Sequence, residues 1–271
     1  MSPWAEPVLL RIGPVAIRWY GLLLALAILL ATGALAALLR RQGHPRAWDE
    51  AVSLALAVGP LGLVGARLAF ILQNFPLFLG DPGRMVAIWE GGLALHGALV
   101  GGLLALAWRE RRSGRFLRRA DELLTVLPLA QAVGRWGNLF NRELLGRPTQ
   151  LPWGVLVEPA YRPAPFAASA AFHPVFLYES LACLALFALL WRRAVAAGAE
   201  GPKSRPGLQV AWYLLGYGSI RFVVEFLRIG EPVAWGLTLA QWVSLVMVAG
   251  GGALLGWARP APRGSRLKPR P

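Results

Sequence analysis

The chain has 271 residues, of which 56% are hydrophobic and only 15% are charged, and its mean hydropathy is +0.50. This balance excludes a water-soluble domain, because so large an apolar fraction needs lipid as its solvent. The formal charge of +14 does not indicate a nucleic-acid partner, since the arginines form short clusters between apolar runs and do not follow one polar face.

Seven apolar runs are candidates for membrane-spanning helices, which need about 20 mainly apolar residues. In chain order these runs are Trp19 to Leu39, Ala51 to Leu72, Leu93 to Trp108, Leu123 to Phe140, Val175 to Trp191, Leu208 to Leu227 and Ala234 to Trp257. The third and fifth are short, so we expect them to extend at their ends or to be covered partly by neighbouring protein. The sequence therefore predicts an all-α, polytopic integral membrane protein.

Two segments outside the spans have compositions of their own. The connection at residues 141–172 is rich in proline and aromatic residues, which favours a small extracytoplasmic subdomain. Residues 260–271 are rich in proline and arginine and are predicted to be a disordered basic tail. Neither a repeat nor a linker divides the remainder, so residues 1–259 are predicted to form a single domain.

The distribution of basic residues predicts the orientation in the membrane. One set of connections, together with the carboxyl-terminal tail, contains eighteen lysines and arginines, and the opposite set contains eight. By the positive-inside rule, the richer side is cytoplasmic. The amino terminus is therefore predicted to lie outside and the tail inside.

Polar side chains of six spans fall at a similar depth in this arrangement. An ionisable group inside a span costs roughly 2.5 to 3.5 kcal/mol on insertion scales, so each is a functional hypothesis by default. We expect the following residues to meet in the outer half of the bilayer around one functional cavity, with scattered structural pairs as the alternative: Tyr20, Arg67, His96, Arg135, Asn138, Tyr178, Glu179, Arg221 and Glu225.

Helical spacing indicates what the arginines bind. Arg221, Glu225 and Arg228 stand at i, i+4 and i+7 and share one helix face. Arg221 with Glu225 could be an ion pair that only neutralises itself, which would leave Arg67 and Arg135 to pair with anions such as Glu143 and Glu179. Several guanidinium groups at one cavity suit a phosphate, which they bind through charge-assisted hydrogen bonds. The predicted ligand is an anionic phospholipid head group.

Six ordered sequence blocks resemble one family, the phosphatidylglycerol:prolipoprotein diacylglyceryl transferases. The most specific is GRWGNLFNRE at 134–143, continued by GRPT at 146–149, which is similar to the family pattern G-R-x-G-N-x-x-N-x-E. Arg142 departs from it, because relatives often carry a small or uncharged residue there. The other blocks are GPVAIRWYG at 13–21, GGLALHG at 91–97, HPVFLYE at 173–179, RFVVEFLR at 221–228 and GLTLAQW at 236–242.

The resemblance implies a reaction and roles for single residues. Members move the diacylglyceryl group of phosphatidylglycerol to the cysteine of a prolipoprotein lipobox, form a thioether and release glycerol phosphate. The implied catalytic residues are Arg135 and Arg221 at the phosphate and His96 as the base for the thiol, whose alternative is a structural histidine. The implied substrate-binding residues are Tyr20, Arg67, Asn138, Asn141, Glu143, Arg147, Tyr178, Glu179, Glu225 and Arg228.

The resemblance also implies a location and partners. We expect a multi-pass protein of the bacterial cytoplasmic membrane that acts as a monomer, binds membrane lipid and a signal peptide, and needs no nucleic acid or cofactor. Three histidines without paired spacing predict no metal site.

Two other classes of protein were weighed. A transporter or flippase of an anionic lipid or solute also buries arginines at cavities, but it predicts inverted repeats and a polar path to the cytoplasm, which the sequence lacks. A lipid hydrolase or acyltransferase predicts a nucleophile elbow, and GYGSI at 216–220 has the wrong order for one.

Overall fold

The computed structural model of the chain describes residues 7–13, 15–88, 92, 94–141, 146–197 and 205–257. Within these residues the chain forms seven α-helices, as the sequence predicts. They are α1 (Trp19–Arg41), α2 (Ala47–Gln73), α3 (Leu95–Glu110), α4 (Phe116–Phe140), α5 (Val175–Ala196), α6 (Leu208–Glu225) and α7 (Leu239–Trp257).

Four of these helices, α1, α2, α5 and α7, are long and apolar enough to cross a membrane by length and composition. The other three are shorter or more polar: α3 has 16 residues and α6 has 18, whereas α4 has 25 residues but carries buried charges and amides. The fold is thus that of a helical integral membrane protein with a set of apolar helices around more polar ones.

The start of the last helix differs from the prediction. We expected it at Ala234, but α7 begins at Leu239 because residues 234–237 form a tight turn closed by a hydrogen bond from Leu237 N–H to the Ala234 carbonyl at 2.9 Å. Trp235 and Gly236 both have positive φ there, at +50° and +74°. Such a backbone cannot continue into a right-handed helix.

Close backbone packing joins α2 to α3. A Cβ atom placed on Gly97 would lie 2.2 Å from the Gly65 carbonyl oxygen, and one placed on Gly101 would lie 2.3 Å from that of Leu61. Small residues are what permits helices to approach this closely in lipid. The glycines of the segment after residue 90 thus have a packing role, which was one of the two readings of that region.

The apolar core has two parts. One is formed mainly by α1 and α2, with Leu35, Leu39 and Leu54 fully buried. The other lies among α4, α5 and α6, around Leu186 and Leu190, and Cys183 is buried in it. This second part supports the functional residues described below.

Short β-hairpins, which the sequence analysis did not predict, are present outside the helices. Strands β1 (Val8–Ile12) and β2 (Val15–Arg18) pair antiparallel just before α1. Strands β3 (Val155–Leu156) and β4 (Ala171–Phe172) pair within the predicted outer subdomain. Strands of two to five residues leave little alternation in the sequence to detect. The predicted tail at 260–271 lies outside the described residues.

The two ends of the helical bundle carry separate polar networks. At one end, where α3 ends and α2 and α4 begin, the buried guanidinium of Arg119 pairs with Glu122 at 2.7 Å and also with Glu50 and Glu110. At the opposite end, where α4 and α6 end and α1 and α5 begin, a second network contains most of the residues that the sequence singles out.

Candidate functional site

Arg135 lies near the carboxyl end of α4 and points toward α5 and α6. Its Nη2 atom lies 2.6 Å from Oε1 of Glu179 and donates a hydrogen bond to the hydroxyl of Tyr217 at 3.1 Å. Arg135 and Glu179 therefore form an ion pair between α4 and α5, one of the two pairings that the sequence left open.

Glu179, in the second turn of α5, is the most deeply buried charged residue of the site, with 1% of its surface exposed. The Tyr217 hydroxyl donates to Oε1 at 3.2 Å, and Oε2 lies 3.9 Å from Nη1 of Arg221. One carboxylate thus lies between the two arginines that the family resemblance marks as catalytic and fixes the distance between them.

Glu225 forms a second carboxylate centre at the end of α6. Its Oε2 atom accepts from Nη2 of Arg221 at 2.6 Å and from Nη1 of Arg228 at 3.2 Å. Its Oε1 atom accepts from the hydroxyl of Thr238 at 3.0 Å. The i, i+4 spacing of the first pair is what predicted it.

We call Arg135, Glu179, Arg221, Glu225 and Arg228 the arginine–glutamate cluster. Three guanidinium groups face two carboxylates, so these five residues carry a net charge of +1. Burial, together with the nearby Arg221, lowers the pKa of the Arg228 guanidinium, which lies beyond the end of α6. A cluster with surplus positive charge is suited to bind one anion.

Arg221 has a donor to offer such an anion. Its Nη2 atom is used by Glu225, but Nη1 is buried and has no hydrogen-bond partner among the described residues. A buried guanidinium nitrogen without a hydrogen bond is costly, so its occurrence here indicates a place for an acceptor oxygen. A phosphate oxygen is an acceptor of the right charge.

Tyr20 and Asn138 lie beside the cluster through the G-R-W-G-N segment of α4. A Cβ atom placed on Gly137 would lie 2.6 Å from Cδ2 of Tyr20, so the tyrosine ring packs against the bare backbone of this glycine. Asn138 follows Arg135 by three residues and is buried. Asn141 ends α4, with its N–H bonded to the Gly137 carbonyl at 3.0 Å.

The predicted outer subdomain is attached directly to the end of α6. The Arg147 N–H donates to the Leu227 carbonyl at 2.7 Å, and Gly146 forms a β-bridge with Arg228. The Arg147 side chain reaches the Arg228 carbonyl at 3.5 Å. The loop backbone therefore helps to set the position of Arg228 in the cluster.

Tyr178 contacts this subdomain and lies apart from the arginines. Its hydroxyl accepts from Trp153 Nε1 at 2.8 Å and lies 3.2 Å from Nδ1 of His173, which precedes α5. The contacts of Tyr178 and His173 in the described structure thus attach the loop to the start of α5.

Arg67 is directed elsewhere than the sequence analysis expected. Its guanidinium donates to the carbonyls of Met85 at 2.8 Å, Gly92 at 3.0 Å and Arg84, and lies over the rings of Phe70 and Phe78. These contacts, all to the connection between α2 and α3, give it a structural role there. A long side chain can reach several directions, so its position in the sequence does not fix its partner.

Two predicted residues lie outside the described part of the chain. Position 96 belongs to the first turn of α3, but the side chain of His96 is not described, and neither is Glu143. Among the residues that are described, no group of three or more histidines, cysteines or carboxylates is placed to bind a metal ion.

Sequence reasoning missed three residues of the site. Tyr217 stands four residues before Arg221 on the same face of α6, a spacing that could have revealed it. Thr238 and Gln241 have the T-x-x-Q spacing of a helix capping box, which was also visible in the sequence. All three bond to the carboxylates or support a residue that does.

Comparisons with known proteins agree with the family resemblance. The family model described as prolipoprotein diacylglyceryl transferase matches residues 7–257. A phosphatidylglycerol–prolipoprotein diacylglyceryl transferase of Trichormus variabilis is 40% identical over 93% of this chain and 89% of its own length. Proteins of the same name from Gloeobacter violaceus and Symbiobacterium thermophilum are 40% and 37% identical, over 93% and 96% of this chain and 92% and 96% of theirs.

Proposed function

The chain belongs to the prolipoprotein diacylglyceryl transferase family, and from this premise we propose that its arginine–glutamate cluster is the place where phosphatidylglycerol reacts with a prolipoprotein. The enzyme transfers the diacylglyceryl group of phosphatidylglycerol to a prolipoprotein in lipoprotein maturation. The observation that carries the proposal for the site is the surplus of one guanidinium over the two carboxylates.

Head-group binding follows from this charge. The phosphodiester of phosphatidylglycerol carries one negative charge, which balances the net +1 of the cluster. Nη1 of Arg221 supplies a donor that no described residue uses, and Arg135 lies across Glu179 from it. Two guanidinium groups bridged by one carboxylate can bind different oxygens of one phosphate.

The reaction is a substitution at carbon. The thiol of the lipobox cysteine loses its proton, and its sulfur forms a bond to the terminal glyceryl carbon that carries the two acylated positions. The bond between that carbon and the phosphate oxygen breaks, and its electron pair leaves with glycerol phosphate. The products are a thioether, glycerol phosphate and the released proton.

The cluster favours this reaction because charge grows on the phosphate. Breaking the carbon–oxygen bond turns a monoanionic diester into a monoester with a second negative charge. Guanidinium groups fixed at the phosphate bind the more highly charged species more strongly, so they stabilise the transition state more than the bound substrate. The ion pairs with Glu179 and Glu225 keep the arginines oriented before the substrate arrives.

The thiol needs a base, because its ordinary pKa of about 8.5 leaves little thiolate at neutral pH. His96 is the proposed base, since an imidazole has the side-chain pKa nearest to neutrality. Its helix position supports this role in one respect: α3 is fixed against α2 through the Ala94 N–H, which bonds to the Ala66 carbonyl at 3.0 Å. A histidine in the first turn of α3 is thereby given a fixed backbone.

The proposal includes an orientation in the membrane. All seven helices would span the bacterial cytoplasmic membrane, with the amino terminus outside and the basic tail inside. The cluster lies at the end of the bundle where α4 and α6 finish, which in this orientation is the outer half of the bilayer. The lipobox cysteine of a signal peptide that crosses the membrane reaches that side.

One experiment tests the function directly. Purified protein is supplied with phosphatidylglycerol and a lipobox peptide, and the peptide is examined by mass spectrometry for the mass of an added diacylglyceryl group. We expect the modification on the cysteine peptide and none on a matched peptide with cysteine replaced by serine. A product with the serine peptide, or no product with cysteine, would contradict the proposal.

A further inference from the structure

Thr238 is the last residue before α7 and forms a capping box with Gln241. The Gln241 N–H donates to the Thr238 hydroxyl at 3.3 Å, and the Thr238 N–H donates to Oε1 of Gln241 at 3.0 Å. This reciprocal arrangement satisfies two backbone donors at the start of the helix. It also fixes the direction of the hydroxyl, because one of its lone pairs is occupied by the Gln241 N–H.

The hydroxyl proton is left to bond outside the cap, and it is donated to Oε1 of Glu225 at 3.0 Å. The other oxygen of Glu225, Oε2, receives both guanidinium groups, those of Arg221 and Arg228. The two carboxylate oxygens thus have separate partners. Gln241 is almost completely buried, with 3% of its surface exposed, so the cap has a fixed support.

This division of the carboxylate decides what Arg221 can bind. A carboxylate and a guanidinium readily form two parallel hydrogen bonds when both oxygens are available. If Oε1 of Glu225 were released, it could turn toward Arg221 and occupy Nη1 as well as Nη2. The nitrogen that has no hydrogen-bond partner among the described residues would then be lost to the phosphate.

We propose that Thr238 is a positioning residue for the transfer reaction: by donating to Glu225, the α7 cap keeps one nitrogen of Arg221 available for the lipid phosphate. This inference rests on the proposed function, since it assumes that Arg221 binds the head group. Thr238 itself does not touch the substrate and acts through Glu225.

Three substitutions separate this role from helix capping. Serine at position 238 keeps both the cap and the donor. Glycine is an acceptable cap residue, with a cost of only a few tenths of a kcal/mol relative to a good cap, but it has no donor. Valine has the shape of threonine and provides neither. A purely structural role predicts that Thr238→Gly resembles wild type, whereas the positioning role predicts that it resembles Thr238→Val.

The measurement is steady-state kinetics of diacylglyceryl transfer in mixed micelles, with phosphatidylglycerol varied at saturating lipobox peptide. For Thr238→Val and Thr238→Gly we expect KM for phosphatidylglycerol to rise about tenfold with little change in kcat, because binding is weakened equally in ground and transition states. Thr238→Ser should restore a near-normal KM. Thermal unfolding in detergent checks that each variant is folded.

Other results would overturn the inference. A normal KM in Thr238→Gly would show that the residue only caps α7, and a loss confined to kcat would show that it does not act through phosphate binding. Arg221→Ala is measured alongside. If Arg221→Ala loses activity while Thr238→Gly stays normal, only this inference fails; if Arg221→Ala is also fully active, the proposed function of the cluster fails.

Discussion

Replacing Arg221 with alanine removes a cation from the site while leaving Glu225 with partners. After the change, Oε2 of Glu225 still receives Arg228 at 3.2 Å, and Oε1 still receives Thr238 at 3.0 Å. No buried carboxylate is left alone, so we expect the fold to lose only about 1 to 2 kcal/mol of stability. The net charge of the cluster, in contrast, falls from +1 to zero.

The catalytic loss should be much larger than the loss of stability. The phosphate loses a charged donor that is most useful when its second negative charge develops. Removing one such donor typically costs about 3 to 4 kcal/mol in the transition state, or roughly a 10² to 10³-fold fall in kcat/KM. Arg221→Lys keeps the charge but not the planar pair of nitrogens, so it should recover only part of the activity.

The assay is the rate of diacylglyceryl transfer to a lipobox peptide, followed by mass spectrometry, together with the unfolding temperature in detergent. Arg118→Ala is the matched control, because Arg118 is an exposed arginine on the other end of α4. We expect the control to keep full activity. If Arg221→Ala stays within threefold of wild type while folded, the assignment of Arg221 to the phosphate is refuted.

Three further predictions concern residues around the cluster. Gly137→Ala would place a Cβ atom 2.6 Å from the Tyr20 ring and should lower activity, whereas Gly134→Ala, with nothing within 4 Å, should be neutral or stabilise α4 by about 0.5 to 1 kcal/mol; equal effects of the two in the transfer assay would contradict this. Gly146→Ala would place a Cβ atom 2.7 Å from a backbone carbonyl oxygen and should cost about 1 to 3 kcal/mol, measured by thermal unfolding, with unchanged unfolding as the contrary result. Arg67→Ala removes the donors to three loop carbonyls, so it should make the connection between α2 and α3 susceptible to limited proteolysis, and a cleavage rate equal to that of wild type would contradict the structural role.

The helices and the family could be predicted from the sequence because both signals are local. Apolar runs bounded by arginines mark the helices, and the starts of α1, α5 and α6 fall on the predicted residues. The family assignment depends on short ordered blocks and is confirmed by the match over residues 7–257. The ion pair of Arg221 with Glu225 followed from helical spacing alone.

What the sequence could not provide is the direction of long side chains and the shape of short connections. Arg67 was expected to face the substrate, but its guanidinium bonds to loop carbonyls that are 17 to 25 residues away in sequence. The start of α7 was placed five residues early, because the turn at Trp235 and Gly236 interrupts an otherwise apolar run. Both depend on contacts between distant segments, which periodicity does not encode.

The physical logic of the site is a balance between fixed opposite charges. Unpaired arginines in an apolar interior would be costly, whereas arginines fully paired with carboxylates could not bind a phosphate. Two carboxylates for three arginines is an intermediate arrangement: the side chains are oriented, and one positive charge is left over. Glu179 and Glu225 therefore matter as much for the positions of the arginines as for their charge.

The most direct test of the central claim is an experimental structure of the protein with bound phosphatidylglycerol. We predict that the lipid phosphorus lies between the Arg135 and Arg221 guanidinium groups, with a phosphate oxygen at hydrogen-bond distance from Nη1 of Arg221. A head group bound elsewhere, with Arg135 and Arg221 still paired only to Glu179 and Glu225, would contradict the account.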